Sequence, residues 1–170
     1  TIGAVKKGRL IHKQIIYDEI EGDEAVGSTL VEMYSDCGKI EESRKTFRDM
    51  RTHNIVVWGC IVAGYAKQGS YEQVKECLSE MKDQGLAFND LILSSVLATC
   101  TQAGLLHEGY LCFKSMSDDG VSPKMEHYCC MIDLLARSGY FKMADDLLQT
   151  MDVLPDLHAL MSVLTCSSMH

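Results

Sequence analysis

Eight cysteines and six histidines are the residues of this 170-residue chain best equipped for chemistry, as zinc ligands, disulfide partners, nucleophiles or proton carriers. Their spacing argues against each role. Cys37, Cys60, Cys77, Cys100, Cys112, Cys129, Cys130 and Cys166 are spread along the whole chain and form no C-x-x-C, so reduced thiols in an intracellular compartment fit better than a disulfide framework. Inside helices such thiols behave as small hydrophobes. His12, His53, His107, His127, His158 and His170 share no metal-ligand spacing, and His127, in Glu126-His127-Tyr128, reads as a packed residue at a helix start. The chain contains no G-x-x-x-x-G-K-[ST], G-x-S-x-G or H-E-x-x-H motif. No catalytic residue, metal or cofactor is expected.

Charge narrows the partners. Sixteen Lys and Arg stand against 24 Asp and Glu, a net charge of -8, so the long-range field repels polyanions and any nucleic-acid binding must rest on a local surface. Residues 1 to 53 carry 9 basic and 10 acidic groups, while residues 54 to 170 carry 7 and 14, which puts the basic groups mainly near the N-terminus. No run of 18 apolar residues offers a membrane span. The first residues match neither a secretory nor a transit signal and lack an initiator Met, so the chain reads as a fragment without its targeting segment.

What must position any functional residue is a repeat. Gly3, Gly38, Gly69, Gly104 and Gly139 are separated by 35, 31, 35 and 35 residues, and Met50, Met81, Met116 and Met151 by 31, 35 and 35. A third series follows the same register: Ile40, Ser43, Phe47, Met50; then Tyr71, Val74, Leu78, Met81; Leu106, Gly109, Phe113, Met116; and Phe141, Ala144, Leu148, Met151. Offsets of 3, 7 and 10 lay each set along one helical stripe, with a small residue usually second, where a neighbouring helix can come close. Upstream of each glycine lies another apolar segment, at Thr29 to Tyr34, Cys60 to Tyr65, Ser95 to Cys100 and Cys130 to Leu135. The glycine ends this first helix in a left-handed conformation, and Asn54, Asn89, Asp90, Pro123 and Pro155 mark the starts of the following units.

Each unit is therefore a helix hairpin, with pairs expected over 25–52, 56–84, 90–117 and 125–151. No alternating strand pattern interrupts them, so the fold class is an all-α solenoid, a single array whose stripes are buried by stacking neighbours.

Ile55 to Tyr65 (IVVWGCIVAGY), followed by Ala66-Lys67-Gln68-Gly69 and closed by Glu80-Met81-Lys82 and Gly85, resembles the pentatricopeptide-repeat signature, and the 35/31 alternation resembles the plant class that mixes P, long (L) and short (S) motifs, the PLS class. On that resemblance residues 1–23 form a partial long motif, 24–54 a short motif, 55–89 a P motif, 90–124 a long motif and 125–156 a short motif. Residues 157–170 resemble the start of the E region that follows the repeats of organellar RNA-editing factors, with Leu160-Met161 where that family usually has Trp-Gly. The resemblance implies a right-handed superhelix of antiparallel helix-turn-helix repeats in a plant mitochondrion or chloroplast.

It also implies a function: sequence-selective binding of single-stranded RNA, as a site-recognition factor for C-to-U editing or other transcript processing. Editing-complex or ribonucleoprotein proteins are the further partners implied, with no membrane and no small-molecule substrate. The competing reading is a protein-binding solenoid inside an organellar ribonucleoprotein, which the acidic charge favours. Some editing factors end in a zinc deaminase, but its H-x-E and P-C-x-x-C signatures are absent from these residues.

In this family a polar residue in the first turn of helix A and the last residue of the motif read one base, and a third residue stacks on it. Carried over, the pairs are Ser28 with Asn54, Gly59 with Asn89, Ser94 with Lys124 and Cys129 with Asp156, with Val56 stacking. Ser28 with Asn54 is the standard reader among them and implies adenine. On residue type alone Ser28 and Asn54 are equally good helix N-caps, and Val56 and Trp58 both read as core before base platform, with Trp58 kept as core.

Overall fold

The computed structural model describes residues 2–17, 23–118 and 120–150, and these are helical throughout apart from short connections. The elements are α1 (Ile2–Tyr17), α2 (Glu24–Asp36), α3 (Ile40–Asp49), α4 (Ile55–Lys67), α5 (Tyr71–Asp83), α6 (Asp90–Ala103), α7 (Leu106–Ser115), α8 (Met125–Arg137) and α9 (Phe141–Thr150). The four expected pairs are α2/α3, α4/α5, α6/α7 and α8/α9. No helix among the described residues is long and apolar enough to cross a membrane.

One turn chemistry recurs in all four hairpins. Gly38, Gly69, Gly104 and Gly139 take φ of 68°, 67°, 68° and 82°, which only glycine adopts at little cost. Each lets the next residue's N–H reach back to close the helix: Lys39 to Tyr34 O at 2.8 Å, Ser70 to Tyr65 O at 3.1 Å, Leu105 to Cys100 O and Tyr140 to Leu135 O at 2.9 Å. Gly3 departs from the expected register of breaks, because it lies inside α1, which already starts at Ile2.

The chain divides into two compact units, residues 1–86 and 87–170. In the first, α2 packs on α3 and α4, α4 packs on α3 and α5, and α1 leans on α2. The second repeats the scheme: α6 packs on α7 and α8, and α8 on α7 and α9. Within the first unit α4 is covered by its own partner α5, by the preceding first helix α2 and by α3, which is why α4 is apolar on most of its surface and buries Val57, Trp58, Ile61 and Val62 completely. The second helix needs only a stripe.

That stripe is the one read from the sequence. Its second position is buried throughout, at Ser43, Val74, Gly109 and Ala144, and a Cβ on Gly109 would stand 2.5 Å from Leu134 Cδ2. Ser43 solves its polarity locally, donating to Val31 O at 2.8 Å and sharing a 2.8 Å hydrogen bond with Ser35 Oγ, so no hydroxyl is stranded. Met50, Met81 and Met116 close the stripe as core; Met151 lies outside the described residues.

Candidate functional site

The helix starts place the expected base-reading residues at fixed points. Glu24, Ile55, Asp90 and Met125 open α2, α4, α6 and α8, so Ser28, Gly59, Ser94 and Cys129 each lie one turn in, and Asn54, Asn89 and Lys124 occupy the N-cap positions of the next first helices. Asp156 lies outside the described residues. Ser28 is not a cap: Asp23 caps α2, accepting from Ala25 N and Val26 N, while Ser28 donates to Glu24 O at 2.7 Å within the helix. Asn54 is one. Its Oδ1 accepts from Val56 N and Val57 N, both at 3.0 Å, and its Nδ2 donates to Glu24 Oε1 at 2.5 Å.

Ser28 and Asn54 thus meet at one residue that the sequence reading passed over. Glu24 takes the hydroxyl proton of Ser28 on its backbone carbonyl and the amide proton of Asn54 on its carboxylate, whose second oxygen accepts from Thr52 Oγ1 at 3.3 Å. Ser28 is half-buried; Asn54 and Glu24 face solvent.

The second unit holds a comparable arrangement with different chemistry. Asp90 stands four residues before Ser94, as Glu24 does before Ser28, and its Oδ2 accepts from Lys124 Nζ at 2.6 Å, which holds the lysine above its ordinary pKa. Ser94 Oγ lies 3.1 Å from Glu126 Oε1 and 2.7 Å from Nε2 of the fully buried His127. Because His127 Nδ1 accepts from Lys124 N at 2.9 Å, the proton of the neutral ring sits on Nε2 and points at Ser94, leaving the serine proton for Glu126.

This tautomer bears on metal binding. Asp90, Glu126 and His127 bring ligand-type atoms within 4.8 Å of one another. The imidazole nitrogen facing the carboxylates carries a proton instead of a lone pair, and Lys124 already neutralises Asp90, so the cluster works as a hydrogen-bond network. His127 is the packed helix-start residue that its neighbours in sequence suggested.

The other pairs offer less. Gly59 is buried in α4 and brings no polar side chain, while Asn89, in the second unit, caps α6 by accepting from Ile92 N at 3.0 Å. Cys129 is half-buried. Val56 is 59% exposed beside its buried neighbours Val57 and Trp58, as a platform for a flat ligand must be. Leu91, 35 residues on, is 52% exposed at the same place in its repeat and escaped the sequence reading, although the register alone pointed to it. Ala25 and Glu126, at the same place in their own repeats, are both exposed.

The buried thiols are poor nucleophiles. Burial pushes Cys77 up to about 11, with Arg44 partly offsetting it, and Cys100 up to about 12, with Glu108 adding to the rise.

The PPR repeat family matches four consecutive stretches, residues 28–55, 56–86, 92–121 and 126–154. The chain belongs to the pentatricopeptide-repeat family. A mitochondrial pentatricopeptide repeat-containing protein of Arabidopsis thaliana is 39% identical over 169 residues, covering 99% of this chain and 26% of that protein. A chloroplastic one from the same plant is 34% identical, covering 92% and 19%. The chain therefore spans about a quarter or less of these pentatricopeptide-repeat relatives. Among solved structures, the pentatricopeptide repeat protein PPR10 in complex with an 18-nt psaJ RNA element superposes with a TM-score of 0.71 at 19% identity, over 86% of this chain and 23% of that one. PPR10 from maize gives 0.56 at 20% identity, over 82% and 26%. These likenesses carry the pentatricopeptide-repeat fold.

Proposed function

We propose that this chain recognises single-stranded RNA one base per repeat, inside a mitochondrion or chloroplast, as part of a site-recognition factor for C-to-U editing or other transcript processing. The observation that carries the reading is the Ser28–Glu24–Asn54 arrangement: a hydroxyl held by the backbone carbonyl of Glu24 and an amide held by its carboxylate, with the apolar Val56 exposed two residues after Asn54. A base needs such a surface, an apolar face to stack on and a few polar atoms for its edge. Support comes from the RNA complex of PPR10 and from relatives named mitochondrial and chloroplastic.

The motif division carries the editing part of the proposal: a partial long motif at 1–23, short at 24–54, P at 55–89, long at 90–124, short at 125–156 and the start of an E region at 157–170. The chain's own task is recognition, not catalysis.

A second reading, a protein-binding solenoid, draws on the charges. Arg9, Arg44, Lys67, Lys124 and Arg137 are each paired with a carboxylate, which leaves these cations half-spent for phosphates. A salt titration of RNA binding by the full-length protein separates the readings, because phosphate contacts make log K fall linearly with log salt. RNA recognition predicts saturable binding whose affinity falls as salt rises. No saturable RNA binding at low salt favours the protein-binding solenoid.

A further inference from the structure

Asparagine offers two acceptor sites on Oδ1 and two N–H donors on Nδ2. At Asn54 both acceptor sites are filled by Val56 N and Val57 N, and one donor is filled by Glu24, so one N–H remains. Ser28 donates its hydroxyl hydrogen bond to Glu24 O and keeps its acceptor sites. Which atoms the pair can show to a base therefore depends on Glu24, a residue outside the pair.

We propose that Glu24 is the positioning residue of this base-reading pair: its carboxylate fixes the side-chain amide of Asn54, so that the pair presents one donor, from Asn54, and one acceptor, from Ser28. The inference rests on the reading of this chain as an RNA-recognition module and names the residue that sets its specificity.

Three features support it. The two contacts do different things, since the helix N-terminus fixes the oxygen of the amide and the carboxylate fixes which N–H is taken and which is left. Thr52 holds the second carboxylate oxygen, which keeps Glu24 from swinging away. The relation also recurs, for Asp90, at the same place in its repeat, holds Lys124, the counterpart of Asn54. There the held group is a cation, which shows that an acidic opening residue can hold different side chains at the following cap. Ile55 and Met125, which open α4 and α8, have no carboxylate to do this.

The test uses the full-length protein and a library of randomised single-stranded 20-mer RNA, selected by binding and sequenced, followed by four oligonucleotides that differ at one base. The position belonging to the pair is the one whose preference moves in Asn54→Asp. At that position Glu24→Ala should collapse the discrimination among the four bases, about 5- to 150-fold for a good side-chain pair on a base edge, to near equality. Glu24→Gln keeps an oxygen acceptor for Nδ2 and should preserve the preference. A purely structural role for Glu24 would instead lower binding of all four RNAs by the same factor together with the melting temperature.

Wild-type discrimination retained in Glu24→Ala overturns the proposal and leaves RNA recognition standing. If Asn54→Asp moves no position, the pair does not read a base and the proposal falls with that reading.

Discussion

Phe47 of α3 and Trp58 of α4 meet edge to face with ring centroids 4.6 Å apart, and His53, from the connection between the two helices, stacks on Phe47 at 4.0 Å. His53 Nε2 also bonds Phe47 O at 2.7 Å, so one aromatic cluster locks the end of one repeat to the start of the next. Phe47 is 4% exposed and Trp58 wholly buried. Phe47→Ala should cost roughly 3 to 5 kcal/mol. Phe113, at the same place in its repeat, is only half-buried, and Phe113→Ala should cost less. Chemical denaturation of both variants checks the order.

His127 and Lys124 should separate just as clearly. His127→Ala removes a fully buried ring that accepts from Lys124 N and donates to Ser94, and should cost about 2 to 4 kcal/mol through a cavity and stranded partners. Lys124→Gln removes only the exposed ion pair with Asp90 and should change stability by less than about 1 kcal/mol. Equal losses in thermal melts would mean that the ion pair holds the start of α8 as firmly as the imidazole and would contradict this order.

The thiols predict a pH dependence. Cys77 and Cys100 are raised to about 11 and about 12 in the folded chain, against about 8.5 for a free thiol. Below the free value both states hold the proton and nothing is lost. Between that value and about 11 the unfolded chain releases protons that the folded chain keeps, so stability should fall as pH rises through this window. Iodoacetamide at pH 8 should leave both thiols unlabelled until the protein unfolds. Rapid labelling of either in the folded protein would contradict their burial.

Most of the fold could be read from the register of Gly38, Gly69, Gly104 and Gly139, because a left-handed helix end depends on one local residue type. Gly3 misled, since a glycine near a helix start has the same spacing without the same conformation. The site was only partly legible. Ser28, Asn54 and Val56 could be named by place in the repeat, but Glu24 and Asp90 act across about 30 residues of chain, through contacts that residue spacing does not encode. The cap role of Asn54 also leaves room for the proposed reading role, because the cap uses its oxygen and one N–H is left over.

The central claim is that the Ser28–Asn54 pair reads a base, and the most direct measurement compares the binding of four single-base RNA variants by the full-length protein and by Asn54→Asp. Wild type should prefer adenine at this position by about 1 to 3 kcal/mol. Asn54→Asp still caps α4 but sets a second carboxylate beside Glu24 and removes the free N–H, so adenine should lose its advantage and guanine, which offers donors to a carboxylate, should gain it. Equal binding of all four bases by wild type, unchanged in Asn54→Asp, would contradict the claim and leave Asn54 as a helix cap alone.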